Sequence, residues 1–294
     1  MELIVSQILG GLGNQMFQYA AARALSLSSG RTLQLDISGF SNYGLHQGFE
    51  LERVFNCPIK IIHDRDLRRV LGWQSVPLAK RLVSRPSMSW LRRANFVIEP
   101  HYNYWPEIAR VPDNAYLVGY WQSEKYFKKY AETIRRDLTF KMPLNAKNLR
   151  IAEIIGATES VSLHVRRGDY MSNKTTNSVH GLCSPDYYQR ALQQISTRVK
   201  QPRVFVFSDD IEWANENLSI DFPCEFVSHN TGVNSFIDMH LMSLCQHNIV
   251  ANSSFSWWGA WLNANPGKYV IAPRRWFAKE MPTQDLIPGE WVVI

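Results

Sequence analysis

The feature that most constrains the fold is the regular alternation of short apolar segments with helical segments that begins near residue 160. Segments rich in apolar residues at 161–165, 204–207 and 249–251 are separated by stretches with helical periodicity, such as 185–199. Parallel neighbouring strands need crossover connections, which helices usually supply. The alternation therefore predicts a parallel β-sheet covered by helices, a fold in which ligands bind at the carboxyl ends of the strands.

The N-terminal half opens with the same kind of unit. The run 2–8 predicts a buried strand, and 14–29 predicts a helix after a glycine turn. The charged stretch 124–140 predicts one more helix, and the proline that follows it indicates a linker. Because 294 residues exceed the usual size of one compact domain, we expect two α/β domains, 1–145 and 146–294, with the C-terminal tail returning to the first.

Composition excludes several classes of protein. Hydrophobic residues make up 45% and charged residues 20%, which is ordinary globular usage and argues against a disordered or fibrous chain. No apolar run reaches the ~18 residues that a membrane span needs. The four cysteines stand far apart without a C-x-x-C pair, which predicts neither disulfides nor a zinc site and favours a cytoplasmic location.

Much of the positive charge lies in one segment. Residues 60–93 contain nine Lys or Arg against two Asp, within a net charge of +6 for the chain. Apolar side chains such as Trp73 and Trp90 are interleaved with this charge, which predicts peripheral contact with the anionic inner membrane. The alternative is a solvated helix pair that packs its apolar face on the core. Nothing in the segment reads a nucleobase, so we expect no nucleic-acid partner.

A glycine-rich turn follows the first predicted strand. It contains Gly11, Gly13, Asn14 and Gln15, and backbone N–H groups at such a turn bind anions such as phosphate. The alternative is a tight turn with no ligand. A dehydrogenase is disfavoured because Met16 stands where the dinucleotide motif requires its third glycine.

Two adjacent arginines leave the predicted strand 161–165. Arg166 and Arg167 cannot both be buried without anionic partners, and a diphosphate would supply them through paired hydrogen bonds. The alternative for one of them is an ion pair, in which Asp169 holds Arg167.

Two further polar groups stand at predicted strand ends. Asp209 and Asp210 could accept hydrogen bonds from a nucleobase or a ribose, although capping the next helix is the simpler role for Asp210. Adjacent strand residues point to opposite sides, so we expect no metal ion here. The hydroxyl-rich turn suits phosphate oxygens or helix capping, and its candidate residues are Asn252, Ser253, Ser254 and Ser256. The tryptophans that follow are typical of a core.

Together the segments GGLGNQMFQYA, HVRRGDY, VFSDD and NSSFSWWGAW resemble glycosyltransferase family 11, the α-1,2-fucosyltransferases, and they occur in the order expected for that family. The resemblance implies a GT-B-like α/β fold, with two Rossmann-like lobes around a central cleft. It implies inverting transfer of L-fucose from GDP-fucose to O-2 of a terminal galactose in a glycan acceptor. The C-terminal lobe would bind GDP-fucose, and no divalent metal or other cofactor is expected.

The resemblance also implies roles for individual residues. Arg166 would contact the β-phosphate and act in catalysis, and His164 with Asp209 or Asp210 would hold the guanosine. The serines of the hydroxyl-rich turn and the glycine-rich turn would lie near the diphosphate. Asp169 is the candidate catalytic base, with orientation of Arg167 as its alternative role, because the glutamate of related α-1,6 enzymes is absent from 170–174.

Two other classes of function stay open at this point. One is a nucleotide-binding or sugar-binding protein without catalysis, which would keep the phosphate contacts but transfer nothing. The other is a glycosidase, for which no facing pair of carboxylates can be assigned from the sequence.

Overall fold

The computed structural model describes residues 2–41, 47–168, 181–279 and 281–294. Contacts within the chain divide it into two units. The N-terminal unit comprises Met1–Lys141 and Pro282–Leu286, and the C-terminal unit comprises Met142–Met281 and Ile287–Ile294.

The N-terminal unit contains a parallel sheet with the strand order β2-β1-β4-β3. Its strands are β1 (Leu3–Gln7), β2 (Thr32–Asp36), β3 (Phe96–Ile98) and β4 (Ala115–Val118). Its α-helices are α1 (Leu12–Ser29), α2 (Leu51–Val54), α3 (Asp64–Leu71), α4 (Pro77–Val83) and α5 (Ala131–Asp137). Alternate strand residues are buried on opposite faces, Ile4 with α1 and Val5 with α3, so helices cover both faces.

The C-terminal unit contains a parallel sheet with the strand order β10-β9-β8-β5-β6-β7. Its strands are β5 (Glu159–Val165), β6 (Pro202–Ser208), β7 (Cys224–Val227), β8 (His247–Ile249), β9 (Val270–Ala272) and β10 (Val292–Val293). Its α-helices are α6 (Ala146–Gly156), α7 (Pro185–Ser196), α8 (Ile211–Asn217), α9 (Phe236–Leu244) and α10 (Ser254–Leu262). Six of the seven residues of the central strand β5 are buried, which is the pattern of a strand covered on both faces.

The helix predicted over 124–140 is wrong in extent. The structure has two 3₁₀ turns, Glu124–Tyr126 and Lys128–Tyr130, before the short helix α5. Phe127 separates the turns with a non-helical backbone, φ −130° and ψ 4°, and its side chain is fully buried with its ring 6.3 Å from that of Phe17. Burial of this ring outweighs the local helix propensity, which is worth only tenths of a kcal/mol per residue.

The basic segment 60–93 has both a core side and a solvent side. Leu67, Val70 and Val83 are buried in the core of the N-terminal unit, as the helix-pair alternative requires. The side chains of Trp73 and Trp90 are instead exposed. No helix in the described ranges is both long and apolar enough to cross a membrane.

A short C-terminal segment completes the N-terminal unit through Asp285. Its carboxylate accepts a hydrogen bond from the Tyr104 N–H at 3.0 Å and pairs with Lys125. Its carbonyl accepts the Ser123 hydroxyl at 2.6 Å. The chain then returns to the C-terminal unit, where β10 pairs with β9.

Candidate functional site

The polar motifs of the C-terminal unit lie where its strands end, as predicted. In the register of β5 and β6, Val165 is paired with Ser208, so the next residues along each strand are Arg166 and Asp209. On the other side of β5, Leu163 is paired with Ile249 of β8, which precedes the hydroxyl-rich turn. Strand pairing therefore brings three separate sequence motifs to one edge of the sheet.

Arg166 and Asp209 form an ion pair at this edge. The Arg166 Nη1 lies 3.1 Å from the Asp209 Oδ2, and the side chains are 23% and 25% exposed. The other carboxylate oxygen of Asp209 accepts the Arg167 backbone N–H at 2.8 Å. Asp209 thus fixes the backbone just after β5 and orients the guanidinium of Arg166.

Arg167 makes different contacts from its neighbour. Its Nε lies 3.3 Å from the Asp210 Oδ2, and its guanidinium carbon lies 3.8 Å from the centre of the Trp213 ring. Asp210 also caps α8 by accepting the Trp213 N–H at 3.2 Å, which confirms the predicted capping role. Stacking on Trp213 and the ion pair with Asp210 hold the Arg167 side chain against α8. These contacts stabilise the edge of the sheet.

His164 is a buried residue of β5, two positions before Arg166. It is 4% exposed, its ring centre lies 5.8 Å from that of Phe255, and its Nδ1 has no hydrogen-bond partner among the described residues. Burial, with a smaller contribution from the positive charge of Arg166, lowers the pKa of His164 to about 3. The imidazole is therefore neutral at physiological pH and retains hydrogen-bonding capacity for a neutral partner such as a nucleobase.

We expect the neutral state of His164 to make folding stability depend on pH. The unfolded chain takes up this proton near pH 6.5, whereas the folded chain does not until about pH 3, so stability is lost as the pH falls below 6.5. Between pH 6.5 and 5 the loss amounts to about 2 kcal/mol at ~1.4 kcal/mol per pH unit. Urea unfolding measures the free energy of unfolding of wild type and of His164→Asn at both pH values. The difference between the two proteins should change by this amount between pH 6.5 and pH 5.

The control for this measurement is Ser162→Ala, which alters a buried residue of the same strand without removing a titratable group. It should destabilise the protein equally at both pH values. Parallel pH dependences for wild type and His164→Asn would contradict the prediction.

The hydroxyl-rich turn is built largely from its own hydrogen bonds. Ser253 caps α10 by accepting the Phe255 N–H at 3.3 Å. The buried Ser256 hydroxyl accepts the Ala251 N–H at 3.2 Å and donates to the Ser253 carbonyl at 3.3 Å. Ser254 is partly exposed, so its hydroxyl is the more accessible one at this helix start.

The rest of this turn is held by hydrogen bonds and by packing. Asn252 is buried, and its amide donates to the carbonyls of Gly181 and Trp276 at 3.3 and 3.2 Å. Trp257 and Trp258 are fully buried with their ring centres 5.0 Å apart, which confirms that they belong to the core. The position of α10 is therefore fixed by packing, which holds its N-terminal amides in place.

The glycine-rich turn belongs to the N-terminal unit. Gly10 has φ +80°, and a Cβ there would lie 2.9 Å from the Asn14 amide nitrogen, so this position requires glycine. Gln15 is fully buried; its amide nitrogen donates to the Gly10 and Gly48 carbonyls at 2.9 and 2.8 Å, and its oxygen accepts the Glu50 N–H at 2.9 Å. Gln15 therefore holds this turn to a neighbouring loop.

The other residues of this turn lie at the start of α1. Gly11 is its N-cap, Gly13 is buried in its first turn, and the Asn14 side-chain oxygen accepts the Gln122 amide at 2.8 Å. Backbone N–H groups at this helix start could bind an anion.

Two further predictions concern the catalytic base and metal binding. Asp169 lies outside the described residues, so its candidate role as a base stays a prediction. Among the described residues there is no group of three or more His, Cys, Asp or Glu that could hold a metal ion.

Sequence comparison identifies relatives over the whole chain. The family model for glycosyl transferase family 11 matches residues 89–294. An α-1,2-colitosyltransferase from Escherichia coli is 37% identical, covering 100% of this chain and 99% of the relative. The O-antigen biosynthesis glycosyltransferase WbnK of Escherichia coli is 34% identical, covering 93% and 94%. A galactoside 2-α-L-fucosyltransferase SEC1 from Bos taurus is 27% identical, covering 97% and 72%.

Solved structures resemble the fold. The fucosyltransferase NodZ from Bradyrhizobium matches with a TM-score of 0.51 at 15% identity, covering 88% of this chain and 91% of its own. An Arabidopsis thaliana FUT1 variant in complex with GDP matches with a TM-score of 0.51 at 14% identity, covering 92% and 70%. The predicted α/β fold of GT-B type, with two Rossmann-like units, is confirmed. Because the family model spans most of the chain and the bacterial relatives span nearly all of it, the chain belongs to glycosyltransferase family 11.

Proposed function

We propose that this chain is an inverting α-1,2-fucosyltransferase that transfers L-fucose from GDP-fucose to O-2 of a terminal galactose in a glycan. The observation that carries the proposal is the arginine pair at the end of β5, with Arg166 oriented by Asp209 and the neutral, buried His164 two residues before it. A diphosphate needs cationic donors and a nucleobase needs neutral ones, and this edge offers both kinds.

The chemistry demands stabilisation of the leaving group. An acceptor hydroxyl attacks the anomeric carbon as its bond to the diphosphate breaks, so negative charge grows on the departing GDP while positive charge grows on the sugar. Arg166 is proposed to take up the growing charge on the β-phosphate. A guanidinium has five N–H donors in a planar fork, which matches the oxygens of a phosphate with paired hydrogen bonds.

The other site residues are proposed to hold the donor in place. His164 and Asp209 or Asp210 bind the guanosine, and the α10 start with Ser253 and Ser254 supports the diphosphate. Arg167 adds positive charge at this edge while its side chain stays against Trp213. The glycine-rich turn is proposed as an anion site of the N-terminal unit, and Asp169 as the base that receives the acceptor proton.

A second candidate donor is GDP-colitose. It is favoured by one observation, the 37% identity over the full chain to an α-1,2-colitosyltransferase. Colitose is the 3-deoxy analogue of fucose, so the two donors differ by one hydroxyl. A site that hydrogen-bonds this hydroxyl discriminates against the deoxy sugar by about 10⁴-fold, whereas a site that leaves it in solvent accepts both.

A donor screen with linkage analysis tests the proposal. Purified protein with EDTA is incubated with GDP-fucose, GDP-colitose or GDP-mannose and a β-galactoside, and the product linkage is determined by NMR. We expect α-1,2-fucosylated product and GDP release that depends on acceptor. Donor binding without transfer would support a binding protein instead, and loss of turnover on chelation would overturn metal independence.

We further propose that the basic segment 60–93 places the enzyme at the cytoplasmic face of a membrane that carries lipid-linked acceptors. Trp73 is 52% exposed, Leu78 is 77% exposed and Trp90 is 77% exposed, so three large apolar side chains of this segment face the solvent. Arginines around them supply attraction to anionic lipid.

Liposome flotation is expected to show binding to vesicles with anionic lipid that weakens as salt is raised. The double variant Leu78→Ser with Trp90→Ser should lower the partition coefficient by about 100-fold or more, since burying each such side chain is worth about 1.5–3 kcal/mol. Leu149→Ser, an exposed leucine of the C-terminal unit, is the matched control. Absence of binding at low salt would overturn this proposal.

A further inference from the structure

An open pocket in the N-terminal unit lies at the carboxyl ends of β3 and β4. Its volume is about 340 Å³, and its lining includes Glu99, His101, Tyr102, Gly119 and Tyr120. None of these residues belongs to the motifs that carry the family resemblance. In a parallel sheet this edge is where ligands bind, and the pocket combines a carboxylate with aromatic rings.

Two backbone N–H groups hold the Glu99 carboxylate in the pocket. Its two carboxylate oxygens accept the N–H groups of Tyr120 and Trp121 at 2.7 and 3.0 Å. In the described part of the chain, no Lys or Arg forms an ion pair with it. A carboxylate has about four lone-pair positions, so it can accept further hydrogen bonds from a ligand.

The backbone around Glu99 adopts unfavourable geometry to hold it. Gly119 has φ +158°, and a Cβ there would lie 2.4 Å from the Glu99 Cβ, so only glycine fits. Trp121 has φ +55°, a value that costs a non-glycine residue on the order of 1–3 kcal/mol. Such strain concentrates at ligand sites.

Near neutral pH, Glu99 is present in both its protonated and its ionised form. Burial raises its pKa to about 7, against the opposing effects of the Trp121 and Tyr120 hydrogen bonds and of His101. A partly protonated carboxyl can both accept and donate a hydrogen bond, which suits a neutral hydroxyl and disfavours an anion.

Two tyrosines give the pocket an aromatic wall. The rings of Tyr102 and Tyr120 are nearly parallel, 12° apart in plane, with centres separated by 6.4 Å. A pyranose presents an apolar C–H face and a rim of hydroxyls, so an aromatic ring beside a carboxyl matches both surfaces of the sugar.

We propose that this pocket binds a neutral pyranose unit of the acceptor glycan, with Glu99 hydrogen-bonded to a sugar hydroxyl and Tyr102 in contact with the ring face. The proposal rests on the proposed function, because it assigns a saccharide acceptor to the N-terminal unit. It adds a recognition site that is independent of the nucleotide.

The first test is kinetic, on the full chain with GDP-fucose and a β-galactoside. Tyr102→Ala should raise the KM for the acceptor about 10-fold and change the KM for GDP-fucose less than 2-fold, as expected for loss of one aromatic contact worth ~1.5 kcal/mol. Tyr130→Ala alters a partly exposed tyrosine of the same unit outside the pocket and should change neither constant. An unchanged acceptor KM in Tyr102→Ala would contradict acceptor binding in this pocket and would leave the proposed function intact.

The second test measures saccharide binding without donor, by saturation-transfer NMR with β-galactosides. Signals that are present in wild type and lost in Tyr102→Ala support the pocket even if no donor is turned over, so failure of the proposed function is recognised separately. Glu99→Gln, with its fold verified by circular dichroism, should weaken the same signals. No signal in wild type, or an equal signal in wild type and Tyr102→Ala, overturns the proposal.

Discussion

Replacing Arg166 with alanine is expected to lower the turnover number for fucose transfer by about 10²-fold or more while the protein stays folded. Removal of one pre-aligned donor from a developing negative charge typically has this effect. The arginine side chain is partly exposed, and Asp209 keeps its bond from the Arg167 N–H when Arg166 is lost. The stability cost should therefore be small. Steady-state kinetics at saturating acceptor, with circular dichroism of the variant, measure both quantities.

Two further variants separate charge from geometry at this position. Arg166→Lys keeps the charge but loses paired hydrogen bonding, so it should recover only part of the lost rate. Arg190→Ala removes an exposed arginine of α7 in the same unit and should leave kinetics unchanged. An Arg166→Ala enzyme that keeps a large share of wild-type turnover would remove Arg166 from the mechanism.

Replacing Lys80 with methionine is expected to destabilise the N-terminal unit by about 3–5 kcal/mol, because it leaves a buried charge without its partner. The Lys80 Nζ lies 2.8 Å from the Asp36 Oδ2, and that oxygen also accepts the Tyr116 hydroxyl at 2.6 Å. Both members of the ion pair are buried. Urea unfolding followed by tryptophan fluorescence measures the loss.

The pH dependence identifies the cause of this loss. Burial by itself would raise the pKa of Asp36, but hydrogen bonds from Lys80, Ser38 and Tyr116 hold it below its usual value. The stability gained from this lowered pKa is present above pH ~4 and is lost as Asp36 is protonated at lower pH. In Lys80→Met fewer hydrogen bonds oppose the burial of Asp36, so its pKa rises and the carboxyl is protonated at a higher pH than in wild type. The stability difference between wild type and Lys80→Met should therefore be largest near pH 7 and shrink as the pH falls towards 4.

Two comparisons complete the design. Combining Lys80→Met with Asp36→Asn removes both charges and should restore part of the stability. Arg190→Met breaks an exposed ion pair with Asp186 and should cost at most about 1 kcal/mol. A loss of similar size in Lys80→Met and Arg190→Met would contradict the assignment of Lys80 as a buried partner.

Lys80 also shows that the sequence does not predict where a charged residue lies or which residue it pairs with. It lies in the basic segment 60–93 and counts there as one positive charge among nine, which suggests a surface residue. The structure instead buries it against Asp36, which is 44 positions earlier in the chain. Composition gives the sign and number of charges, whereas the partner of each charge depends on the packing of α4 against β2.

The C-terminal unit was more predictable than the N-terminal one. Its strands and helices alternate regularly along the sequence, and its polar motifs stand directly at strand ends, so the edge that carries Arg166 follows from the pattern. The ion pair between Arg166 and Asp209 cannot be predicted from this pattern, because it depends on the register between β5 and β6. No local signal marks Trp213 as the ring beneath Arg167.

The pocket at Glu99 also could not be predicted from the sequence, because it depends on contacts between residues that are distant in the chain. Strand β3 has only three residues and follows a basic, aromatic stretch, so no periodicity indicates it. The hydrogen bonds that hold Glu99 come from backbone groups 21 and 22 positions later in the chain. A glutamate in such a place looks like an ordinary surface residue until its environment is known.

The return of residues 282–286 to the N-terminal unit has a consequence for dissecting the enzyme into halves. A fragment that stops at Lys141 lacks Asp285, so the Tyr104 amide, the Ser123 hydroxyl and the Lys125 ammonium lose their shared acceptor. An autonomous version of this unit would need that short peptide grafted back onto it, for example through a flexible linker. Separate expression of two contiguous gene halves should accordingly yield an unstable first product.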